Sequence, residues 1–309
     1  MDRRDSNVDA RRRESRPAPR GSPWLARHGL AVVTLGVLAL FLLAILTLIA
    51  MDVLYLLRDV KAGGPGAWLA EAGRTLYDLF AGLFRSGAIA DAMVLSAYTS
   101  FTTLLLVVLF CVPIGYALSR YRFPGHSLAN TAADLPLVVP PVVIGLSLLV
   151  FFTTAPGRWA EGAMNAMHMS RYAAAGIILC QFILSVPFAI RSSKSAFDAV
   201  DPALEDLART LGCSRAGAFL RVALPLAANG IAAGCIMAWA RAVGLFGPLV
   251  VFVGCVRHKS EVLPTTIYLE VSTGGIDVAL AVAMVMFALA GAALVVVHAL
   301  LSGRRGWEP

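Results

Sequence analysis

Six stretches of this chain are long and apolar enough to cross a lipid bilayer, and that leaves few folds open. The plainest, residues 30–50, runs for 21 positions without a charge, where a helix needs about 20 to span roughly 30 Å of hydrocarbon. Five more follow at about 92–118, 132–152, 172–190, 226–253 and 278–301. In lipid every backbone amide must be satisfied internally, which allows only helices or closed barrels, and runs of this length are helices. The chain reads as an all-α integral membrane protein with about six transmembrane helices. Composition agrees: of 309 residues, 58% are hydrophobic and only 15% charged, whereas soluble domains carry about a quarter charged. Disorder, collagen and a disulfide-stapled secreted fold are excluded on the same grounds.

The net charge of +7 reports topology rather than affinity for nucleic acid, because eight of the 26 basic residues, Arg3 to Arg27, precede the first apolar run. Residues 1–28 are polar, Arg-rich and without periodicity, so they are expected to be a disordered cytoplasmic tail. Counted over alternate connections, Lys and Arg number 17 on the tail's side and 8 on the other, with Arg241 inside a span. That bias places both termini in the cytoplasm. The run at 30–50 is too long for a signal-peptide core and lacks a cleavage site after it, so it is retained. In 52–91, Trp68, Leu69, Ala72, Leu76, Leu79, Phe80 and Leu83 fall at helical spacing opposite Glu71, Arg74, Asp78 and Arg85. This predicts an external amphipathic helix lying on the membrane or packing on the bundle. The expected organisation is a tail (1–28), an N-terminal helix plus the amphipathic helix (29–91), a core (92–303) and a cytoplasmic C-terminus (304–309). The five cysteines form no C-x-x-C pair and read as small hydrophobes in helices.

The inner connection 191–225 is too elaborate for a link. Asp201-Pro202 is a helix start, an amide-capping oxygen followed by proline in the first turn. A helix over 203–211 follows, with Glu205 and Asp206 near its positive end, and Gly212 stops it. A second helix is predicted over 214–222, and Leu224-Pro225 opens the next span. This is a cytoplasmic helix-turn-helix, either packing on its own bundle or docking a soluble partner.

The spacing Asp206-Leu207-Ala208, x3, Gly212, x9, Val222, x, Leu224-Pro225 resembles the EAA loop of binding-protein-dependent ABC importer permeases. Their pattern is Glu-Ala-Ala, x3, Gly, x9, Ile, x, Leu-Pro. The resemblance extends over about 92–303. Tyr121 to Gly125, Leu135 to Leu146 with Pro140 and Pro141, and Arg241 to Gly247 are similar to the molybdate and sulfate branch, and 263–269 to molybdate permeases in particular. Leu245 stands where that branch has Glu.

The resemblance implies alternating-access import of a small solute, a tetrahedral oxyanion such as molybdate first, with sulfate and tungstate as alternatives. It also implies a dimer of ATP-binding subunits carrying ATP and Mg, a second permease copy and an external substrate-binding protein. Glu205, Asp206, Ala208, Arg209, Gly212, Arg215, Leu224 and Pro225 would form the ATPase-coupling loop. Arg241, Gly244, Leu245, Phe246, Gly247, Pro140 and Pro141 are candidates for the translocation path or gate.

No P-loop motif occurs in the chain, so ATP hydrolysis is expected on another subunit, with no cofactor here, no catalytic residue and no metal-ligand spacing. A charge inside a span must face protein or water. Arg241 therefore either lines the path, where a guanidinium suits an oxyanion, or bonds carbonyls freed at Gly244, Gly247 and Pro248. Asn229, Thr265 and Thr266 could add neutral hydrogen bonds to an anion. An ion-driven carrier would need acidic residues within spans, with Asp134 the nearest; a non-transporting anchor would leave the inner loop as a scaffold.

Overall fold

The computed structural model describes residues 23–58, 65–166 and 174–302, and every regular element among them is helical. The chain divides into two units, 1–61 and 62–309. The first contains one helix, α1 (Pro23–Leu56). It takes in residues 23–28 of the expected disordered tail, and Pro23 suits its first helical turn. Residues 1–22 lie outside the described residues. With apolar side chains on every face, α1 is a helix that only lipid or protein can cover.

The second unit holds α2 (Pro65–Arg85), α3 (Gly87–Arg120), α4 (His126–Val138), α5 (Pro141–Thr153), α6 (Ala155–Ala166), α7 (Ala174–Asp198), α8 (Pro202–Thr210), α9 (Arg215–Ala218), α10 (Leu224–Val243), α11 (Gly247–Phe252), α12 (Leu263–Ser272) and α13 (Ile276–Ser302). Its centre is the triplet α3, α7 and α10. Small residues bring these helices together: a Cβ on Gly230 would lie 2.6 Å from Ala196 Cβ, and one on Gly234 2.4 Å from Ser192 Cβ. Val107, Cys111, Ala189, Phe197, Ala227 and Cys235 fill the seam, with the Cys111 and Cys235 sulfurs 3.7 Å apart.

The predicted amphipathic helix is α2, and it belongs to the second unit rather than to a domain with α1. It packs against α3 and α13. Ala72 is buried and Phe80 rests on a cluster of Ile89, Leu263, Ala281 and Val282, while Glu71, Arg74, Asp78 and Arg85 are exposed. The side chains of Trp68, Leu69, Leu76, Leu79 and Leu83 lie outside the described residues.

Among the described residues four helical segments, Val33–Leu56, Gly87–Arg120, Ala174–Asp198 and Arg215–Val243, are long and apolar enough to cross, with a fifth if a bent pair counts as one. That pair is the expected third span, broken into α4 and α5 at an angle of 106°. Val139 and Pro140 each precede a proline, which disfavours helical ψ, and both are extended (ψ 133° and 131°). The expected fifth span, 226–253, stops at Val243; Gly244 to Phe246 turn the chain into α11. The sixth corresponds to α13, which is apolar over Ile276–Ala292.

Candidate functional site

The turn that follows α7 forms by local chemistry. Asp201 accepts a hydrogen bond from the Ala203 amide (2.9 Å) and Pro202 takes the first position of α8. The helix ends in a Schellman motif: Cys213 N–H donates to Ala208 O and Gly212 N–H to Arg209 O, with Gly212 at φ +94°. Ser214 then caps α9, accepting from the Gly217 amide (3.0 Å).

The second predicted helix does not end before the span. α9 passes through a π-helical turn, Phe219–Ala223, straight into α10, so Leu224-Pro225 lies inside one continuous helix, Arg215–Val243. Pro225 lacks an N–H and its ring would clash with the carbonyl of residue 221 in a regular α-helix; the wider turn, closed by Leu224 N–H to Phe219 O, accommodates it.

The two adjacent acids have different surroundings. Glu205 is buried; its carboxylate accepts from Tyr116 Oη (2.7 Å) and Arg120 Nε (2.7 Å) at the end of α3, and Arg120 also donates to Val200 O (2.8 Å). Glu205 thus fastens the loop to its own bundle rather than offering itself to a partner. Asp206, at the motif position, is exposed and pairs with Arg209 (3.0 Å). Ala208 is half-buried and Arg215 exposed. A cleft of about 550 Å³ opens between the end of α3 and this loop, with Tyr116, Asp206, Arg209 and Arg215 among its walls.

Leu204 and Leu207 of α8 and Leu211 at its C-cap, which the sequence pattern does not single out, are all exposed, Leu211 by 79%. They recur at i, i+3 and i+7, one helical face. The result is an apolar stripe left uncovered on the outer face of the loop.

The candidate path residues gather where α5 meets α11. Pro140 precedes and Pro141 starts α5, while Gly244 to Gly247 lead into α11. A Cβ on Gly145 would lie 2.8 Å from Pro248 Cα, and one on Gly247 3.0 Å from Val142 Cγ2. Leu245 is buried (6% exposed) among Phe152, Leu184, Leu249 and Phe252, where a glutamate would need a partner that these side chains do not supply. Phe246 is partly exposed and tilts against Tyr268 (5.3 Å).

Arg241 does not bond the carbonyls at the break. The Ala242 carbonyl accepts instead from Gln181 Nε2 (3.1 Å), while Gln181 Oε1 accepts from Thr103 (3.0 Å), a buried polar chain linking α3, α7 and α10. The Arg241 guanidinium lies 5.0 Å from the Phe188 ring centre, and its Nε is buried without a hydrogen-bond partner. Thr265 and Thr266 are fully buried and bonded to Val262, capping α12, so they are not available to an anion; Asn229 is exposed. Asp134 on α4 faces Arg191 on α7 at 3.9 Å. Among the described residues no three His, Cys, Asp or Glu side chains converge as a metal site.

Residues 111–306 match the family model described as binding-protein-dependent transport system inner membrane component. The chain is 38% identical over 204 residues to the "probable molybdenum ABC transporter permease protein" of Haloferax volcanii, covering 66% of this chain and 72% of that one. It is 35% identical over 175 residues to the molybdenum transport system permease protein ModB of Escherichia coli, covering 55% and 76%. Its fold is similar to that of a bacterial alginate ABC transporter solved with an alginate pentasaccharide-bound periplasmic protein (TM-score 0.66, 18% identity, 88% and 93% covered).

Proposed function

This chain belongs to the binding-protein-dependent transport system inner membrane components, and on that premise we propose that it is the permease subunit of an ATP-driven molybdate importer. It works as two permease copies in the inner membrane, both termini cytoplasmic, with a pair of ATP-binding subunits beneath and a substrate-binding protein outside. The observation that carries the coupling half of this reading is α8. A helix held to the bundle by Glu205 turns an apolar stripe (Leu204, Leu207, Leu211) and an acid, Asp206, outward. An ATPase groove lined by apolar side chains with a basic rim fits that face.

The substrate half rests on the relatives' printed names and on Arg241. A guanidinium with an unpartnered, buried Nε inside a span is held for an anion that arrives, since the hydrogen bond it lacks is one a tetrahedral oxyanion can accept. Closure of the ATPase pair on ATP pushes α8, and the helix continuous with α9 carries the displacement to the break at Gly244.

The test is uptake and ATP hydrolysis in proteoliposomes holding the permease, ATPase and binding protein, with molybdate, tungstate, sulfate or no anion. Stimulation by molybdate that Asp206→Arg abolishes supports both halves. Stimulation by sulfate alone replaces the substrate, and assembly without any ATPase refutes the importer.

A further inference from the structure

At the end of α3 remote from the coupling loop, the segment joining α11 to α12 folds back over the helix. Asp91 and Arg120 are separated by 29 residues of α3, about 40 Å of helix. The segment is tightly wired. Leu263 N–H donates to Ser96 Oγ (2.8 Å) and His258 Nδ1 meets Asp91 Oδ2 at 2.8 Å. Arg257 pairs with Glu270. Ser260 Oγ donates to Gly254 O and accepts from the Val256 amide. His258 itself is held at φ +63°.

The outcome of this wiring is a carboxylate with nothing to hold. Glu261 is 2% exposed, yet its Oε2 has no hydrogen-bond partner. It borders a cavity of about 310 Å³ whose walls include Asp91, Leu95, Tyr98, His258 and Lys259. The nearby cations do not serve it: Arg257 is committed to Glu270, His258 to Asp91, and no ion pair joins Lys259 to Glu261 among the described residues. A buried carboxylate without a counter-charge is costly, and native proteins rarely tolerate one without a functional reason.

The missing partner is a cation, and the walls choose among cations. A metal ion needs several converging ligands, and among the described residues no three suitable side chains meet. A guanidinium or ammonium on a long side chain needs only carboxylate acceptors at the bottom and apolar or aromatic walls for its stem. Glu261 supplies the first, with Asp91, paired to His258, at the exposed rim; Leu95 and the half-exposed ring of Tyr98 supply the second.

We propose that this cavity is the socket for an arginine or lysine side chain of the external substrate-binding protein, with Glu261 as its buried counter-charge. The proposal rests on the importer reading, which puts this end of α3 outside. It adds a specific residue and a specific partner chemistry to a surface that the reading leaves undefined.

The experiment is a binding titration of the substrate-loaded binding protein on the permease–ATPase complex in nanodiscs. Glu261→Gln is expected to raise Kd at least about 10-fold, and Glu261→Lys more, because removing one member of a buried charged pair weakens association strongly. Scanning the binding protein's surface arginines and lysines to alanine should find one whose loss is not additive with Glu261→Gln. If Glu261→Gln does not reach the membrane, Tyr98→Ala at the exposed rim carries the test, with Kd expected to rise about 2- to 5-fold. Unchanged Kd in these variants overturns the socket and leaves the importer standing, as does weakened binding with no basic residue coupled to Glu261. Failure of the wild-type complex to bind the protein at all overturns the importer reading instead.

Discussion

Glu205 and Asp206 are neighbours in sequence, and the structure assigns them opposite duties, which a pair of substitutions can separate. Glu205 and Arg120 are only 10% and 12% exposed at their side chains, and the carboxylate also accepts from Tyr116. Glu205→Ala strands a mostly buried guanidinium, whose remaining partners are Val200 O (2.8 Å) and Ser119 Oγ (3.3 Å). Breaking one side of such a pair costs about 3–5 kcal/mol. Asp206 is 70% exposed and its pair with Arg209 spans one helical turn, an arrangement worth about 0.2–1 kcal/mol. Hydrogen–deuterium exchange on the complex in nanodiscs reads the difference at 202–213. Glu205→Ala should speed exchange there by about 100-fold or more, at a factor of ten per 1.4 kcal/mol. Asp206→Ala should change it less than about fivefold while still abolishing anion-stimulated ATP hydrolysis. Replacing Arg120 and Glu205 together by Met and Leu should restore much of the protection, since an apolar pair of similar volume leaves no stranded charge. Equal protection in Glu205→Ala and wild type would refute the claim that this carboxylate ties the loop to α3.

Further outcomes follow from single positions. Gly212→Ala meets open space but holds φ +94°, so it should cost about 1–2 kcal/mol through the backbone alone, with Gly212→Asn milder, read by thermal unfolding of the purified complex. Gly145→Ala places a methyl 2.8 Å from Pro248 backbone atoms; overpacking of about 1–3 kcal/mol should loosen α5 from α11 and show as faster exchange over Gly247–Phe252. Burial holds the Cys255 thiol above its ordinary range. Its thiolate fraction is therefore small near neutrality, and maleimide labelling should keep rising with alkalinity after an unstructured peptide thiol has levelled off. Arg241→Lys should lower molybdate-stimulated uptake while leaving assembly intact, because an ammonium cannot present the guanidinium's fork; unchanged uptake would remove Arg241 from the path.

What could be read without coordinates was whatever short-range chemistry determines. Asp201, Pro202 and Gly212 act on neighbours two to four residues away, so the limits of α8 fell within one residue of expectation. The second helix was misjudged because Pro225 reads as a helix start, and only the π turn shows how it is absorbed mid-helix. The prolines at 140 and 141 disfavour helix at the residues before them, but the sharpness of the break depends on α11 filling the corner through Gly145 and Pro248. Which acid is buried could not be read, since Glu205 meets Arg120 across 85 residues of sequence. Gln181 did leave a trace, a lone amide in an apolar span, the kind of residue that membrane helices retain for a buried bond. The stripe Leu204, Leu207 and Leu211 was equally visible, but on so short a helix it passes for core until its exposure is known.

The unbroken helix Arg215–Val243 has a mechanical consequence. Its 29 residues make a stiff rod of about 44 Å, with the cleft beside α8 at one end and the Gly244 corner at the other. Beyond the π turn at Phe219–Ala223 it has no joint at which a push can be lost. Pivoted near its middle, a tilt of only 10° or so displaces each end by about 4 Å in opposite directions, so the throw at the far corner is fixed by leverage rather than by elasticity. The nearest place for such a rod to yield is the π turn beside its driven end, and straightening that turn by Pro225→Ala would change the length of the stroke before it changed the stability of the bundle.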